Sequence, residues 1–178
     1  MYSIAALIEA NQTSPWQELA SVCEFSGIAT HTIPHFSWQT AENYQIALVR
    51  SKLNSLTETI SPFRFTTSGL GIFSNDRKIL FLIIVKTRAL LEIHELLWRE
   101  LSLYADGLKL HYSPDNWIPH ISINLHELDE NQFNCSLAEL LKTKMDFEFD
   151  VSKFGLIYLN PDSAGVDTVF SLKNDGNK

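Results

Sequence analysis

The hexapeptide Ile118-Pro119-His120-Ile121-Ser122-Ile123 repeats an earlier one, Ile33-Pro34-His35-Phe36-Ser37-Trp38. This repetition limits the possible folds more than any other feature of the chain. Both copies, residues 33–38 and 118–123, read Ile-Pro-His-apolar-Ser-apolar. Proline suits the first residue of a strand, where its missing N–H costs no ladder hydrogen bond. The alternation after it has the period of two that sends neighbouring side chains to opposite faces. In each copy the histidine and serine therefore share one face, and the apolar residues take the face expected to meet a core.

A second segment repeats with the first. Residues 63–72 read FRFTTSGLGI and residues 147–156 read FEFDVSKFGL, with Phe, Phe, Ser and Gly at equal offsets. The offset from Phe63 to Phe147 is 84 residues, one less than the 85 from His35 to His120. Each half is thus strand, helix, hairpin in the same order. Self-similarity of this length predicts a bilobal α+β fold made of two pseudo-twofold-related units of antiparallel sheet, with helices packed outside. The 178 residues then form a single domain with an internal duplication. A pseudo-twofold axis would bring equivalent strands face to face and direct His35, Ser37, His120 and Ser122 into one groove between the lobes.

The intervening chain has a matching pattern of elements. Ser3 to Ala10 reads as a strand, and Ser14, Pro15 and Gln17 supply cap, first turn and capping box for a helix stopped at Gly27. From Glu42 to Ile60 the apolar residues Ile46, Val49, Leu53, Leu56 and Ile60 recur at steps of three and four, a helical stripe ended by Pro62. Phe63 to Phe73 and Ile79 to Val85 read as strands, the second buried on both faces. Arg88 to Tyr104 is helical, and a loop from Ala105 to Trp117 leads to the second hexapeptide. Asp129 to Lys144 is a helix with Asp129 and Gln132 as capping box and Phe133, Leu137, Leu140 and Leu141 inside. Two closing strands, Phe147 to Leu159 and Val166 to Lys173, flank the turn at Asn160 to Ser163.

Composition narrows the function classes. A net charge of −7 and a pI near 5.3 argue against broad binding to nucleic-acid backbone, while leaving room for a small phosphate-bearing ligand. Cys23 and Cys135 form no CxxC pair, so neither a disulfide framework nor a zinc finger is expected, and a cytoplasmic setting fits. No apolar run reaches the length of a membrane span. There is no G-x-S-x-G, G-x-G-x-x-G or G-x-x-x-x-G-K-[ST] pattern for a serine hydrolase, a dinucleotide site or a P-loop.

Two imidazoles across a groove suit general acid–base work, because histidine titrates near about 6.5 and both protonation states are accessible. One ring can accept a proton from water or a hydroxyl while the other gives one to a leaving oxygen. Displacement at phosphorus needs attack and departure on opposite sides, which facing lobes provide. The two serine hydroxyls could donate to non-bridging phosphate oxygens as charge builds. The arrangement requires neither metal nor cofactor.

These paired His-x-Ser-x motifs, one per half, resemble the 2H phosphoesterase superfamily, which includes the 2′-5′ RNA ligase-like and cyclic phosphodiesterase proteins. The resemblance covers nearly the whole chain. It implies a bilobal fold and metal-independent phosphodiester chemistry. Its substrates would be 2′,3′-cyclic phosphates, ADP-ribose cyclic phosphates or 2′-5′ linkages in small oligonucleotides. His35 and His120 match the family's catalytic histidines, and Ser37 and Ser122 its phosphate-binding hydroxyls. Both hydroxyl residues are serine where threonine is frequent, and Trp38 is bulky at the last apolar position.

The expected partner is therefore a small nucleotide or short oligonucleotide, RNA ends included, with no DNA, no membrane and a cytoplasmic monomer. Tyr112 and Trp117 are candidate substrate-binding rings on which a base could stack; the competing expectation is that they plug the core. His94 is expected at a surface or boundary, His31 in a loop or at a strand entry, and His111 and His126 flanking the second motif. Lys109 and Arg64 are read as solvated cations outside the site. The rival function is a nucleotide- or RNA-binding module on the same scaffold with little turnover, and a third is a metal-dependent hydrolase using the six histidines.

Overall fold

The computed structural model describes residues 1–9, 34–74, 78–123, 129–142, 144–160 and 163–173. The helix expected from Ser14 to Gly27, together with His31 and His126, lies outside them. In chain order the elements are β1 (Tyr2–Leu7), β2 (His35–Tyr44), α1 (Ile46–Thr57), β3 (Phe63–Ser74), β4 (Lys78–Ile84), α2 (Arg88–Leu101), β5 (Ala105–Leu108), β6 (His120–Ser122), α3 (Glu130–Leu140), β7 (Glu148–Val151), β8 (Lys153–Asn160) and β9 (Ser163–Ser171).

The strands form two antiparallel sheets, ordered β5-β2-β1-β8-β9 and β6-β4-β3-β7. Both sheets have one plan. The first motif strand, β2, pairs with β1, and the second, β6, pairs with β4. In each motif the proline carbonyl accepts from the neighbouring strand, Pro34 from the Ile8 N–H at 2.9 Å and Pro119 from the Ile84 N–H at 3.0 Å. This is the bilobal α+β architecture that the internal repeat predicts.

The hairpins of the two halves cross over at their midpoint. Residues 63–66 of β3 pair antiparallel with residues 148–151, so that Phe65 lies opposite Phe149, its own counterpart in the repeat. Both rings are buried, 5.3 Å apart between centroids. Beyond this crossing β3 continues along β4, whereas the second copy breaks at Ser152 and β8 continues along β1. The single strand expected from Phe147 to Leu159 is thus two, because its ends belong to different sheets.

Four further expectations are corrected by the tertiary structure. Residues 42–44 are not helical: β5 pairs with β2 at Ala41, Asn43 and Tyr44, holding the strand extended so that α1 starts at Ile46. That pairing also turns part of the expected loop after Ala105 into strand. Leu141 lies past the end of α3 and is 73% exposed, although the Asp129–Gln132 capping box forms as expected.

His94 is the fourth, and it is fully buried rather than at a boundary. α2 carries it inward beside Leu90, Leu97 and Leu101. Its ring stacks on Trp117 with centroids 3.9 Å apart, and its Nε2–H donates to the carbonyls of Trp38 at 3.1 Å and Tyr112 at 2.9 Å. The other nitrogen, Nδ1, has no hydrogen-bond partner among the described residues. Adding a proton there would leave an unpaired cation in the core, and burial accordingly holds the His94 pKa below its ordinary value.

A histidine with a lowered folded pKa binds fewer protons folded than unfolded once pH drops below about 6.5, so its stabilising contribution is lost as pH falls through that window. Denaturant unfolding at pH 7.5 and 5.5 should therefore show a fall in stability that is smaller in His94→Gln than in wild type. Equal falls would contradict a neutral buried imidazole.

Candidate active site

A β-bulge shapes the first motif strand. β1 and β2 pair as Ile4 with Gln39 and Ala5 with Ser37, leaving Trp38 without a partner. The extra residue reverses the alternation. His35 and Ser37 face the groove, Trp38 and Gln39 both turn into the core, and Thr40 returns to the groove side. Trp38 is completely buried, so the bulky final position of the motif is a core residue that the bulge accommodates.

His35, Ser37, His120 and Ser122 line one cavity of about 420 Å³ between the two motif strands. All four expected site residues are thus brought together. Thr40, Lys109, His111 and Tyr112 line it as well, and its remaining wall is apolar, built from Ile157, Leu159 and Val166 of β8 and β9. These aliphatic residues form, with Ala5 and Leu7, a small cluster separate from the main core, on the sheet face turned toward the groove. Lys109 is tied to Glu42 by a 2.7 Å ion pair, which lowers the Glu42 pKa.

Of the two aromatic candidates, only Tyr112 reaches the cavity. Trp117 is 1% exposed and stacked between Trp38 and His94, at 5.4 and 3.9 Å. It is a core residue and no stacking platform: its side chain is buried although its neighbours Asn116 and Ile118 are exposed. Its Nε1–H donates to the Ser37 carbonyl at 3.0 Å and so ties the approach to the second motif directly to the first. Arg64 is engaged with Glu148 and Asp150 on the surface.

The geometry of His120 fixes its tautomer. Nδ1 lies 2.7 Å from the Ile118 carbonyl, which can only accept, so Nδ1 carries the hydrogen and Nε2 is the atom left to act. The ring rests against Phe73 and Phe81, with centroids 4.9 and 5.0 Å away, and those two rings stack on each other at 4.1 Å. Gly71 lets Phe81 lie close over β3, since a Cβ there would come within 2.3 Å of the ring. The His120 pKa is lowered, chiefly by burial and also by the charges of His35 and His111, against a raising effect of the Ile118 carbonyl. His111 is lowered too, by burial and by the Lys109 charge. At neutral pH, then, His120 is a neutral ring with a free lone pair on Nε2, the form that accepts a proton.

Sequence reasoning missed Thr40 and Ser3. Strict alternation from His35 places Gln39 in the groove, and no residue type announces the bulge. Ser3 sits on β1 opposite Thr40, with its hydroxyl 2.8 Å from the Ser37 hydroxyl.

The fold and the facing His–Ser pairs define a two-lobed protein with a pseudo-symmetric groove. The sequence matches the 2′-5′ RNA ligase superfamily over residues 9–162, and the chain belongs to that family, the 2H phosphoesterases. Solved structures share the fold end to end. TT0787 of Thermus thermophilus is 17% identical, with a TM-score of 0.63 over 98% of this chain and 99% of its own. Escherichia coli LigT is 13% identical in its complex with NADP+, with a TM-score of 0.62 over 97% of each chain. In its complex with 3′-AMP it is 14% identical, with a TM-score of 0.55 over the same shares. No curated protein matches the sequence.

If the aromatic pair desolvates His120, Phe73→Ala should move its titration midpoint up toward about 6.5, read from the pH dependence of its imidazole C–H NMR signals. A midpoint that stays or falls would assign the shift to neighbouring charges instead.

Proposed function

We propose that the protein is a metal-independent phosphodiesterase of the 2H type, acting on a small nucleotide or short oligonucleotide that carries a 2′,3′-cyclic phosphate or a 2′-5′ linkage. The observation that carries this reading is that both His-x-Ser pairs, separated by 85 residues in sequence, line one cavity. The nucleotide complexes of LigT, with 3′-AMP and with NADP+, agree with a nucleotide ligand.

In hydrolysis, His120 is the general base and His35 the general acid. Water attacks phosphorus and passes a proton to His120 Nε2 as the new P–O bond forms. The P–O bond on the far side breaks, and its oxygen takes a proton from His35. Ser37 and Ser122 donate to the non-bridging oxygens, which gain charge along the way. In ligation a ribose hydroxyl takes the place of water: it attacks the cyclic phosphate and passes its proton to His120, and the ring P–O bond breaks with its oxygen protonated by His35. The ribose or base meets the aliphatic wall of Ile157, Leu159 and Val166. Because Lys109 is already paired with Glu42, the cavity suits a single phosphate more than a polyanion. A monomer acting in the cytoplasm completes the proposal; no helix among the described residues is long and apolar enough to cross a membrane.

With excess chelator present, wild type should hydrolyse nucleoside 2′,3′-cyclic phosphates or 2′-5′ dinucleotides. His35→Ala and His120→Ala should each lower kcat/KM by about 10²-fold or more with the fold intact. The wild-type pH profile should be bell-shaped, with its acid limb below about 6.5 because the base titrates low. Binding of 3′-AMP without turnover would replace this reading with that of a nucleotide-binding module.

A further inference from the structure

Ser37 is not alone at its end of the cavity. Its hydroxyl accepts from Ser3 Oγ at 2.8 Å, and Ser3 Oγ also lies 3.0 Å from Thr40 Oγ1. The Tyr112 side chain stands beside both Thr40 and Ser37, which pull its pKa down against the larger raising effect of burial. Ser3 thus bridges Ser37 and Thr40, and with Tyr112 the four hydroxyls form one cluster. Three of its members line the cavity, and the fourth, Ser3, is 1% exposed beneath them. The cluster exists because the bulge at Trp38 turns Thr40 to the same side as Ser37.

Each hydroxyl has one proton to give and two lone pairs to receive with. Ser3 can send its proton to Ser37 or to the Gln39 carbonyl, which is farther away at 3.3 Å. With the proton sent to Ser37, the Ser37 oxygen is satisfied as an acceptor and its own proton is left to Tyr112 or to the cavity. If Thr40 donates to Ser3, the protons of Ser3 and Thr40 are both spent inside the cluster. Burial raises the Tyr112 pKa, so beside them it stands as a protonated hydroxyl. The Ser37 proton is then left to turn outward into the cavity. A lone serine would instead rotate among acceptors, including neighbouring backbone, and an anion would have to bear that ordering cost when it bound.

We infer that Ser3, Thr40 and Tyr112 are positioning residues that aim the Ser37 hydroxyl as a donor to a phosphate oxygen, with Ser3 acting only through Ser37. This rests on the proposal that Ser37 binds phosphate, but not on turnover.

The test is a double-mutant cycle read by binding of inorganic phosphate, followed by ³¹P NMR titration, and by kcat and KM on a nucleoside 2′,3′-cyclic phosphate. Ser3→Ala and Tyr112→Phe should each weaken phosphate binding by about threefold to tenfold, the worth of one hydrogen bond. Neither change should matter further in a Ser37→Ala background, because the group they aim is gone. Tyr112→Phe keeps the ring packing and serves should Ser3→Ala disturb the sheet. In turnover the loss should fall on kcat more than KM, since the Ser37 donor is needed most as charge builds.

Losses that add to that of Ser37→Ala would overturn the inference and leave the phosphodiesterase reading standing. Non-additive losses in phosphate binding, with no turnover by wild type, would do the reverse. Wild type that neither binds phosphate nor turns over would overturn both.

Discussion

The pairing of residues 63–66 with residues 148–151 holds the two lobes in register. Each lobe's sheet takes a hairpin strand from the other half of the chain, and the exchange happens where Phe65 meets its repeat counterpart Phe149. Burying two such rings is worth about 1.5–3 kcal/mol each relative to exposure, and the chain passes from β7, at the edge of one sheet, straight into β8 of the other. The two halves interlock there, and the motif strands of both sheets line one cavity. The stack of Trp38, Trp117 and His94 supplies the second fastening, closer to the site. Through Trp117 Nε1 it reaches the Ser37 carbonyl, so core and groove share one hydrogen-bonded contact.

Much of this was legible in the sequence, and for physical reasons. A strand whose histidine and serine sit two residues apart advertises a polar face, and a second copy advertises symmetry. Helix stripes such as Val49, Leu53 and Leu56 are buried because a period of 3.6 leaves them no other face. The capping box at Asp129 and Gln132 is local chemistry and appears as read. What the sequence did not disclose depends on partners distant in the chain. The bulge at Trp38 is set by the register against β1, the end of β2 by pairing with β5, and the break at Ser152 by competition between two sheets. Trp117 and His94 could not be told from surface or ligand-facing residues until each was seen against the other. Trp117 and Tyr112 lie five residues apart in one loop, yet one packs the core and the other lines the cavity.

The acidic surface and the neutralised cations give the site its electrostatic character. Arg50, Lys52, Arg64, Arg88 and Lys109 all have carboxylate partners within 4 Å. Exposed pairs of this kind contribute little to stability, but they do reduce long-range attraction for polyanions. Recognition therefore falls to short-range donors at the groove, which favours ligands small enough to be enclosed.

The bulge at Trp38 also gives the groove a direction. A cleft with true twofold symmetry would offer any ligand two equivalent orientations, and a bound molecule could be read head to tail or tail to head with equal ease. Here one end carries a cluster of four hydroxyls about Ser37, and the other a histidine resting against the stacked rings of Phe73 and Phe81. A single unpaired residue in β2 thus breaks a degeneracy that duplication alone would have left in place, and the cleft acquires a front and a back.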